Sequence, residues 1–203
     1  MNEPPDPSRY VYHRVPPDLR GTTLYPLNRL ADVYPDLYEK LQQNYATRRD
    51  IAALRIPPLG NCLWNDVLFL SPIHPALFEA ALAEAGHTLP TPWRRFYRID
   101  ARLLNPASTV VYRSSETYWA GQFDVEKASV QIGIDCVPFK PQLLDRLEEV
   151  PQATRDYYAG VTAEAAARAG QAGSFPAIFL HTPHVLYKGD FDTTQDGISI
   201  VEV

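Results

Sequence analysis

The chain has few of the features that mark exported, membrane-spanning or disulfide-stabilised proteins. Only two of its 203 residues are cysteines, Cys62 and Cys136, and no signal peptide is recognisable, so we expect free thiols. No apolar run approaches the roughly 18 residues of a membrane-spanning helix, and the longest, Val67–Leu70, has the length of a strand. We therefore expect a cytoplasmic protein that does not enter a membrane.

Basic residues and signature motifs are also scarce. Lys and Arg number 19 against 24 Asp and Glu, which gives a net charge of -5. Because neutralising phosphates requires a surplus of cations, general nucleic-acid binding is not expected. The Walker phosphate loop, the Gly-x-Gly-x-x-Gly fingerprint, the paired-His zinc helix and the paired Cys-x-x-Cys clamp are all missing. These absences remove the enzyme classes that are easiest to recognise.

The composition is that of an ordinary globular domain, with 45% hydrophobic and 21% charged residues. Residues 1–8 contain three prolines and are expected to form a disordered arm, which leaves residues 9–203 as a single domain. Predicted strands and helices do not alternate strictly along the chain. This order favours an α+β domain with mixed, largely antiparallel sheets and flanking helices. The oligomeric state stays open.

The pattern of apolar residues predicts the following elements. The predicted strands are 9–15, 66–71, 94–100, 109–113, 129–134, 178–180, 185–187 and 198–203. The predicted helices are 37–43, a short one from 50, 75–85, one that begins at 141, and 154–169. Pro75 and Gly86 bound the clearest helix, and the period-two alternation of 129–134 is typical of a half-buried strand.

The densest unusual stretch is Leu59-Gly-Asn-Cys-Leu-Trp-Asn-Asp66. Trp64 offers a stacking surface, and Asn65 and Asp66 offer hydrogen-bonding groups, so this loop is expected to form one wall of a small-ligand site. The opposite wall is expected to come from His13 or from the His181-Thr-Pro-His184 turn. In the alternative interpretation, Trp64 is core, Asp66 caps a turn, and the two late histidines are a hydrogen-bonded structural pair, with no metal assigned.

Five of these residues, Gly60-Asn-Cys-Leu-Trp64, resemble the nucleophile segment of OTU-type cysteine proteases. The resemblance implies that Cys62 is the nucleophile and that His181 or His184 is its base. Such a thiol needs a lowered pKa, which a helix N-terminus or an adjacent base supplies.

A second resemblance rests on the order of several segments. They are Tyr12-His13, Phe69-Leu-Ser71, Arg98–Leu104, Val110–Arg113 and Phe123–Ala128. This order is similar to that of ADP-ribosyltransferase-like domains, which include the RNA 2′-phosphotransferases and the DNA-modifying toxins. The resemblance implies an enzyme that uses NAD in a cleft between two short sheets.

Carried over residue by residue, the resemblance gives each candidate a role. His13 would hydrogen-bond the ribose of NAD, Ser71 would support the nicotinamide side of the pocket, and Tyr25 would stack on the ligand. Glu116 would stabilise the oxocarbenium-like transition state. The acceptor would be a nucleic acid, a protein or a small molecule. The alternatives are a cysteine hydrolase and a non-catalytic domain that binds a small ligand or a protein.

Overall fold

A computed structural model describes residues 9–45, 49–113, 124–162 and 178–203. Within these ranges the chain is a single α+β domain, as the sequence predicts. The predicted arm at 1–8 and the candidate Glu116 lie outside the described residues. In the part of the chain that is described, no helix is both long and apolar enough to cross a membrane.

Strands and short helices follow one another along the chain. The strands are β1 (Tyr10–Arg14), β2 (Thr23–Leu24), β3 (Arg55–Ile56), β4 (Cys62–Leu63), β5 (Leu68–Leu70), β6 (Arg95–Asp100), β7 (Thr109–Tyr112), β8 (Cys136–Pro138), β9 (His184–Tyr187), β10 (Phe191–Asp192) and β11 (Ile198–Glu202). The α-helices are α1 (Leu30–Val33), α2 (Pro35–Gln42), α3 (Arg49–Ala52), α4 (Pro75–Glu84), α5 (Val125–Asp135) and α6 (Gln152–Gly160). The 3₁₀ helices are Leu27–Arg29, Gln43–Tyr45, Pro57–Leu59, Trp64–Asp66, Thr91–Trp93, Ala101–Leu103, Pro106–Ser108 and Pro141–Arg146.

Two antiparallel sheets form the framework. One has the strand order β1-β6-β11 and the other β5-β9-β7-β8, while β2 pairs with β10 and β3 with β4. The two large sheets meet at one bridge, where Tyr12 and Ser71 exchange two backbone hydrogen bonds of 2.8 Å. We call this contact the seam. Side chains alternate between the faces of a strand, so Tyr12 and His13 point to opposite faces of β1.

The main core lies between the two sheets. It unites Val11 and Ile99 of the first sheet with Leu70, Val111 and Val185 of the second, all of them buried. The other face of the four-stranded sheet packs on α3, β3, β4 and α5, and α4 packs on α6 in a third cluster. Packing on both of its faces therefore holds the four-stranded sheet in place.

Helix α4 shows how residues at the two ends of a helix allow it to be predicted from the sequence. Pro75 occupies its first turn, where no N–H is needed, and the His74 Nδ1 accepts a hydrogen bond from the Ala76 N–H at 3.2 Å. Gly86 follows its end with a φ of 78°, the left-handed region that glycine adopts without strain. The buried face carries Phe78 and its apolar neighbours. The predicted helix is confirmed.

The prediction of a strand at 129–134 is wrong, because these residues belong to helix α5. Asp124 caps this helix by accepting hydrogen bonds from the N–H groups of Glu126 and Lys127. Only Ile132 of the helix is buried, whereas Val130 and Ile134 are exposed. The alternation therefore does not reflect a buried strand face.

Smaller differences concern the last third of the chain. The segment 178–180 is a turn rather than a strand, and the helix predicted from 141 is a 3₁₀ helix. The helix predicted at 154–169 begins at Gln152 and runs to Gly160, and 163–177 fall outside the described residues. Proline at 141 is compatible with either helix type, so composition alone could not separate them.

Candidate functional site

A cleft of about 340 Å³ opens beside the end of β1. Its walls come from the end of β1 and the following loop, from β2 and the 3₁₀ helix after it, and from α1 and α2. The lining residues are His13, Arg14, Pro16, Pro17, Asp18, Leu19, Arg20, Thr23, Leu24, Tyr25, Leu27, Leu30, Tyr34, Leu37, Leu41 and Tyr45. We call it the His13 cleft. It brings together two of the predicted site residues, His13 and Tyr25.

One long wall of the His13 cleft was not predicted from the sequence. It consists of Leu27, Leu30, Tyr34, Leu37 and Leu41, which recur at intervals of three and four residues. That spacing places side chains on one face of a helix. The stripe runs through the 3₁₀ helix, α1 and α2, with a break at Tyr34, whose φ of -140° is not helical. The residue before a proline is disfavoured in the helical region, which explains the break.

The tautomer and the protonation state of His13 follow from its surroundings. Its Nδ1 lies 2.6 Å from the carbonyl oxygen of Arg14, and a carbonyl can only accept, so Nδ1 carries the proton. Burial lowers the pKa of His13 from 6.5 to about 4, so the ring is neutral at pH 7. Its Nε2 is then an acceptor, and no described residue donates a hydrogen bond to it. A ligand O–H or N–H in the cleft could do so.

Aromatic rings also line the His13 cleft. The ring of Tyr25 meets that of Tyr34 edge to face, with 6.3 Å between the ring centres. The guanidinium of Arg20 lies 5.7 Å from the centre of the Tyr34 ring. Such rings favour a flat ligand that stacks on them or meets their edges.

Two ion pairs join the loop after β1 to α2 at the rim of the cleft. Arg20 donates two hydrogen bonds to the Asp36 carboxylate, at 2.8 and 2.6 Å, and Lys40 donates to Asp18 at 2.9 Å. The pKa of the Asp36 carboxyl is lowered by the bonds from Arg20. All four side chains are well exposed, so each pair adds little to stability. Their effect is to fix where the loop crosses the cleft.

Ser71 does not line the His13 cleft. It pairs with Tyr12 at the seam, so its side chain shares the face of Tyr12 and not that of His13. Its hydroxyl is buried and bonds locally, donating to the carbonyl of Ile73 and accepting from the Ile73 N–H, both at 3.1 Å. The structure thus brings His13 together with Tyr25 but not with Ser71.

The residues Trp64, Asn65 and Asp66 form a 3₁₀ helix instead of a ligand wall beside His13. The Asp66 carboxylate accepts from the Leu63 N–H and from the Asn28 amide, at 2.7 Å each. Trp64 packs against Phe69, with ring centres 4.7 Å apart, and Asn65 is buried. Capping and packing thus account for Trp64 and Asp66, as in the alternative interpretation.

Asp66 also borders a second depression, of about 320 Å³. Its lining residues are Pro26, Asn28, Arg29, Asp32, Asp66, Lys188, Gly189 and Asp190. The Lys188 ammonium there donates to the carbonyl of Leu59 at 3.3 Å, and burial raises the pKa of Asp190. His13 is not among its described lining residues and lies in the other cleft. Trp64 and His184 both pack on the Phe69 ring, with ring centres 4.7 and 6.0 Å from it, so the loop at 59–66 and the late histidine turn lie close together.

Cys62 has the environment of a core residue. It is 8% exposed and belongs to the apolar cluster that covers the four-stranded sheet. Burial raises the pKa of its thiol above the ordinary value, which disfavours the thiolate. It lies in strand β4 and not at a helix N-terminus. The chemistry of a cysteine nucleophile therefore has no structural support here.

His184 is the first residue of β9, and His181 lies just before this strand. The His184 Nδ1 donates to the carbonyl of Thr182 at 3.0 Å, and its ring lies edge-on to Phe69 and Phe179. Burial lowers the pKa of His184 to about 4. His181 adopts a φ of 61°, and its buried Nδ1 makes no hydrogen bond to a described residue. In the described ranges, His, Cys, Asp and Glu do not form a group of three or more that could hold a metal ion.

Comparisons with models of protein families, with curated protein sequences and with solved structures found no match for this chain. A function therefore has to be inferred from the site itself.

Proposed function

We propose that the domain binds a small molecule with a flat ring and a hydrogen-bond donor in the His13 cleft. The observation that carries this proposal is the presence of a neutral imidazole, with an unused Nε2 acceptor, in a largely apolar cleft beside Tyr25 and Tyr34. Apolar walls with a few fixed polar groups are the usual composition of small-ligand sites.

Size and charge support the same proposal. The volume of about 340 Å³ lies at the lower end of the range for small-molecule pockets, roughly 300 to 1,000 Å³. Asp18 is the single carboxylate among the described lining residues, and Lys40 already pairs with it. The two basic lining residues are also engaged, since Arg20 pairs with Asp36 and the Arg14 guanidinium lies 4.3 Å from the centre of the Trp93 ring. Because the charged groups of the cleft already have partners, the cleft favours an uncharged or weakly charged ring over an ion.

Phenol and anisole test the role of the imidazole, because the two rings differ mainly in the O–H donor. Ligand-observed NMR titrations should show tighter binding of phenol to the native protein. His13→Phe keeps a ring but removes Nε2, so the preference for phenol should disappear. His184→Phe is the matched control, since His184 has a similarly lowered pKa outside the cleft. Equal affinities of the native protein for the two rings would refute the proposal.

A second candidate function is ADP-ribosyl transfer from NAD. It is favoured by the location of His13, which directly follows the seam residue Tyr12 and shares a cleft with Tyr25. A neutral His13 could accept a hydrogen bond from a ribose hydroxyl, the role that the family resemblance implies. Ser71 contributes no side chain to this cleft, so Tyr25 and Tyr34 would have to form the ring pocket in its place.

NAD itself separates the two candidates. Saturation-transfer NMR should detect the nicotinamide ring of NAD on the native protein and lose the signal with His13→Phe. If the domain also transfers ADP-ribose, Glu116→Gln should leave NAD binding intact and slow nicotinamide release by about 100-fold or more, because a charge that stabilises the transition state is removed. Binding of phenol without any binding of NAD would support the first candidate and reject the second.

A further inference from the structure

A third concave surface, of about 420 Å³, lies at the β8 edge of the four-stranded sheet. The described residues that line it differ from those that line the His13 cleft. Its lining residues are Val111, Arg113, Val137, Pro138, Lys140, Leu143, Arg146 and Leu147. We call it the cationic pocket, because three of the lining side chains that the structure describes are basic and none of these is acidic.

The three cations of the pocket have no partners in the described structure. Arg113, Lys140 and Arg146 are exposed, and none of them forms a hydrogen bond or an ion pair through its side chain with a described residue. Asp145, the neighbour of Arg146 in sequence, is instead bound by Arg9 through two hydrogen bonds of 2.5 and 2.8 Å. The nearest carboxylate in sequence is thus occupied.

The positive charge of the pocket contrasts with the negative net charge of the whole chain. The net charge is -5, and many exposed basic side chains elsewhere are paired, for example Arg155 with Glu84 and Arg95 with Glu202. Three cations without a described partner around one concavity therefore concentrate positive potential there. An anionic group placed there would gain charge-assisted hydrogen bonds, and the two guanidinium groups can each bind it through two N–H donors.

The floor of the cationic pocket is apolar. Val137, Leu143 and Leu147 are half-buried and pack against the main core, to which Val111 belongs. The rest of their apolar surface is exposed to solvent. An inorganic anion bound by the cations would not cover it. A ligand that also carries an apolar group would cover this surface and gain from its burial.

We propose that the cationic pocket binds a small organic anion, a phosphate monoester or a carboxylate joined to an apolar or aromatic group. Three cations match one such group, whereas a nucleic-acid backbone needs a longer track of phosphate contacts. The site is independent of the ligand proposed for the His13 cleft.

Four probes separate the contributions of charge and apolar surface. Calorimetric titrations at low salt would use phenyl phosphate, benzoate, inorganic phosphate and phenol. We expect phenyl phosphate or benzoate to bind about tenfold or more tightly than inorganic phosphate, and the comparison of the first two identifies the anionic group. Arg146→Gln should weaken this binding about tenfold, the effect of losing one charge-assisted interaction. Arg95→Gln, the same charge change at an exposed site outside the pocket, should leave it unchanged.

His13→Phe distinguishes this proposal from the proposed function, because it should abolish the preference for phenol in the His13 cleft and leave phenyl phosphate binding intact. Three results would overturn the anion site. The first is equal affinity for phenyl phosphate and inorganic phosphate. The second is that Arg95→Gln weakens phenyl phosphate binding as much as Arg146→Gln does. The third is that a single-stranded oligonucleotide binds more tightly than phenyl phosphate and that both variants weaken its binding alike.

Discussion

Mild acid should destabilise the domain through His13 and His184. In both residues burial lowers the pKa of the imidazole from 6.5 to about 4. Between these two values the unfolded chain binds protons that the folded chain does not bind. The stability that the two buried neutral histidines contribute is therefore complete above pH 6.5. The free energy of unfolding decreases as the pH falls from 6.5 towards 4.

The magnitude follows from the two pKa values. From pH 7 to pH 5.5, each histidine should lower the free energy of unfolding by about 1 kcal/mol, and the pair by about 2 kcal/mol. That is a considerable part of the roughly 5 to 15 kcal/mol of a typical domain. Carboxyl groups with ordinary pKa values stay largely ionised at pH 5.5, so they contribute little to this window. The pKa of His74 is also lowered by burial, which adds a change of the same sign.

Urea titrations at pH 7.0, 6.0 and 5.5 measure the effect, and the histidine Cε1–H resonances report the two pKa values directly. His13→Phe and His184→Phe should each remove about half of the change between pH 7 and 5.5, and the double variant should remove most of it. An unfolding free energy that is independent of pH in this range would refute the reasoning. So would a His13 resonance that titrates near 6.5, and the neutral acceptor assigned to the cleft would then be lost as well.

Three further outcomes are expected. Tyr158→Phe should lower the free energy of unfolding by about 1 to 3 kcal/mol in urea titrations, because the fully buried hydroxyl donates to the carbonyl of Ile178. Asp66→Ala should lower it by a similar amount of about 1 to 3 kcal/mol, since the Asp66 carboxylate caps the Leu63 N–H and holds a second donor; an unchanged midpoint would contradict this. Iodoacetamide should alkylate Cys62 much more slowly in the folded protein than in urea, as followed by mass spectrometry, and rapid alkylation of the folded protein would revive the hydrolase interpretation.

Local sequence signals predict an element well when its ends carry caps. Helix α4 has Pro75 and Gly86 at its limits, and both act locally, so no tertiary information is needed. Helix α5 was missed because Val130 and Ile134 are apolar and yet exposed, which makes the segment look like a strand. Asp124 was the informative residue, since an acidic cap with Glu126 in the first turn is typical of a helix start.

The His13 cleft could be predicted only in part. The stripe from Leu27 to Leu41 is visible in the sequence, but Pro35 divides it into helices too short to show a period on their own. The opposing wall, at Pro16 and Pro17, is brought there by chain routing and by the ion pairs to α2. Those contacts depend on the tertiary fold, so composition and spacing do not reveal them.

The family resemblance predicts that His13 and Ser71 share a site, but the order of motifs along the chain does not determine which face of a strand each side chain occupies. Ser71 forms the seam with Tyr12, and His13 directly follows Tyr12, so the two residues are close along the framework. The bridge joins Ser71 to Tyr12 rather than to His13, and side chains alternate along β1, so a register different by one residue would have placed them on the same face. Register depends on which face of each strand is buried, and the apolar Val11 on the His13 face packs into the main core between the sheets. The same packing that orients His13 towards its cleft thus directs the Ser71 hydroxyl to the turn at Ile73.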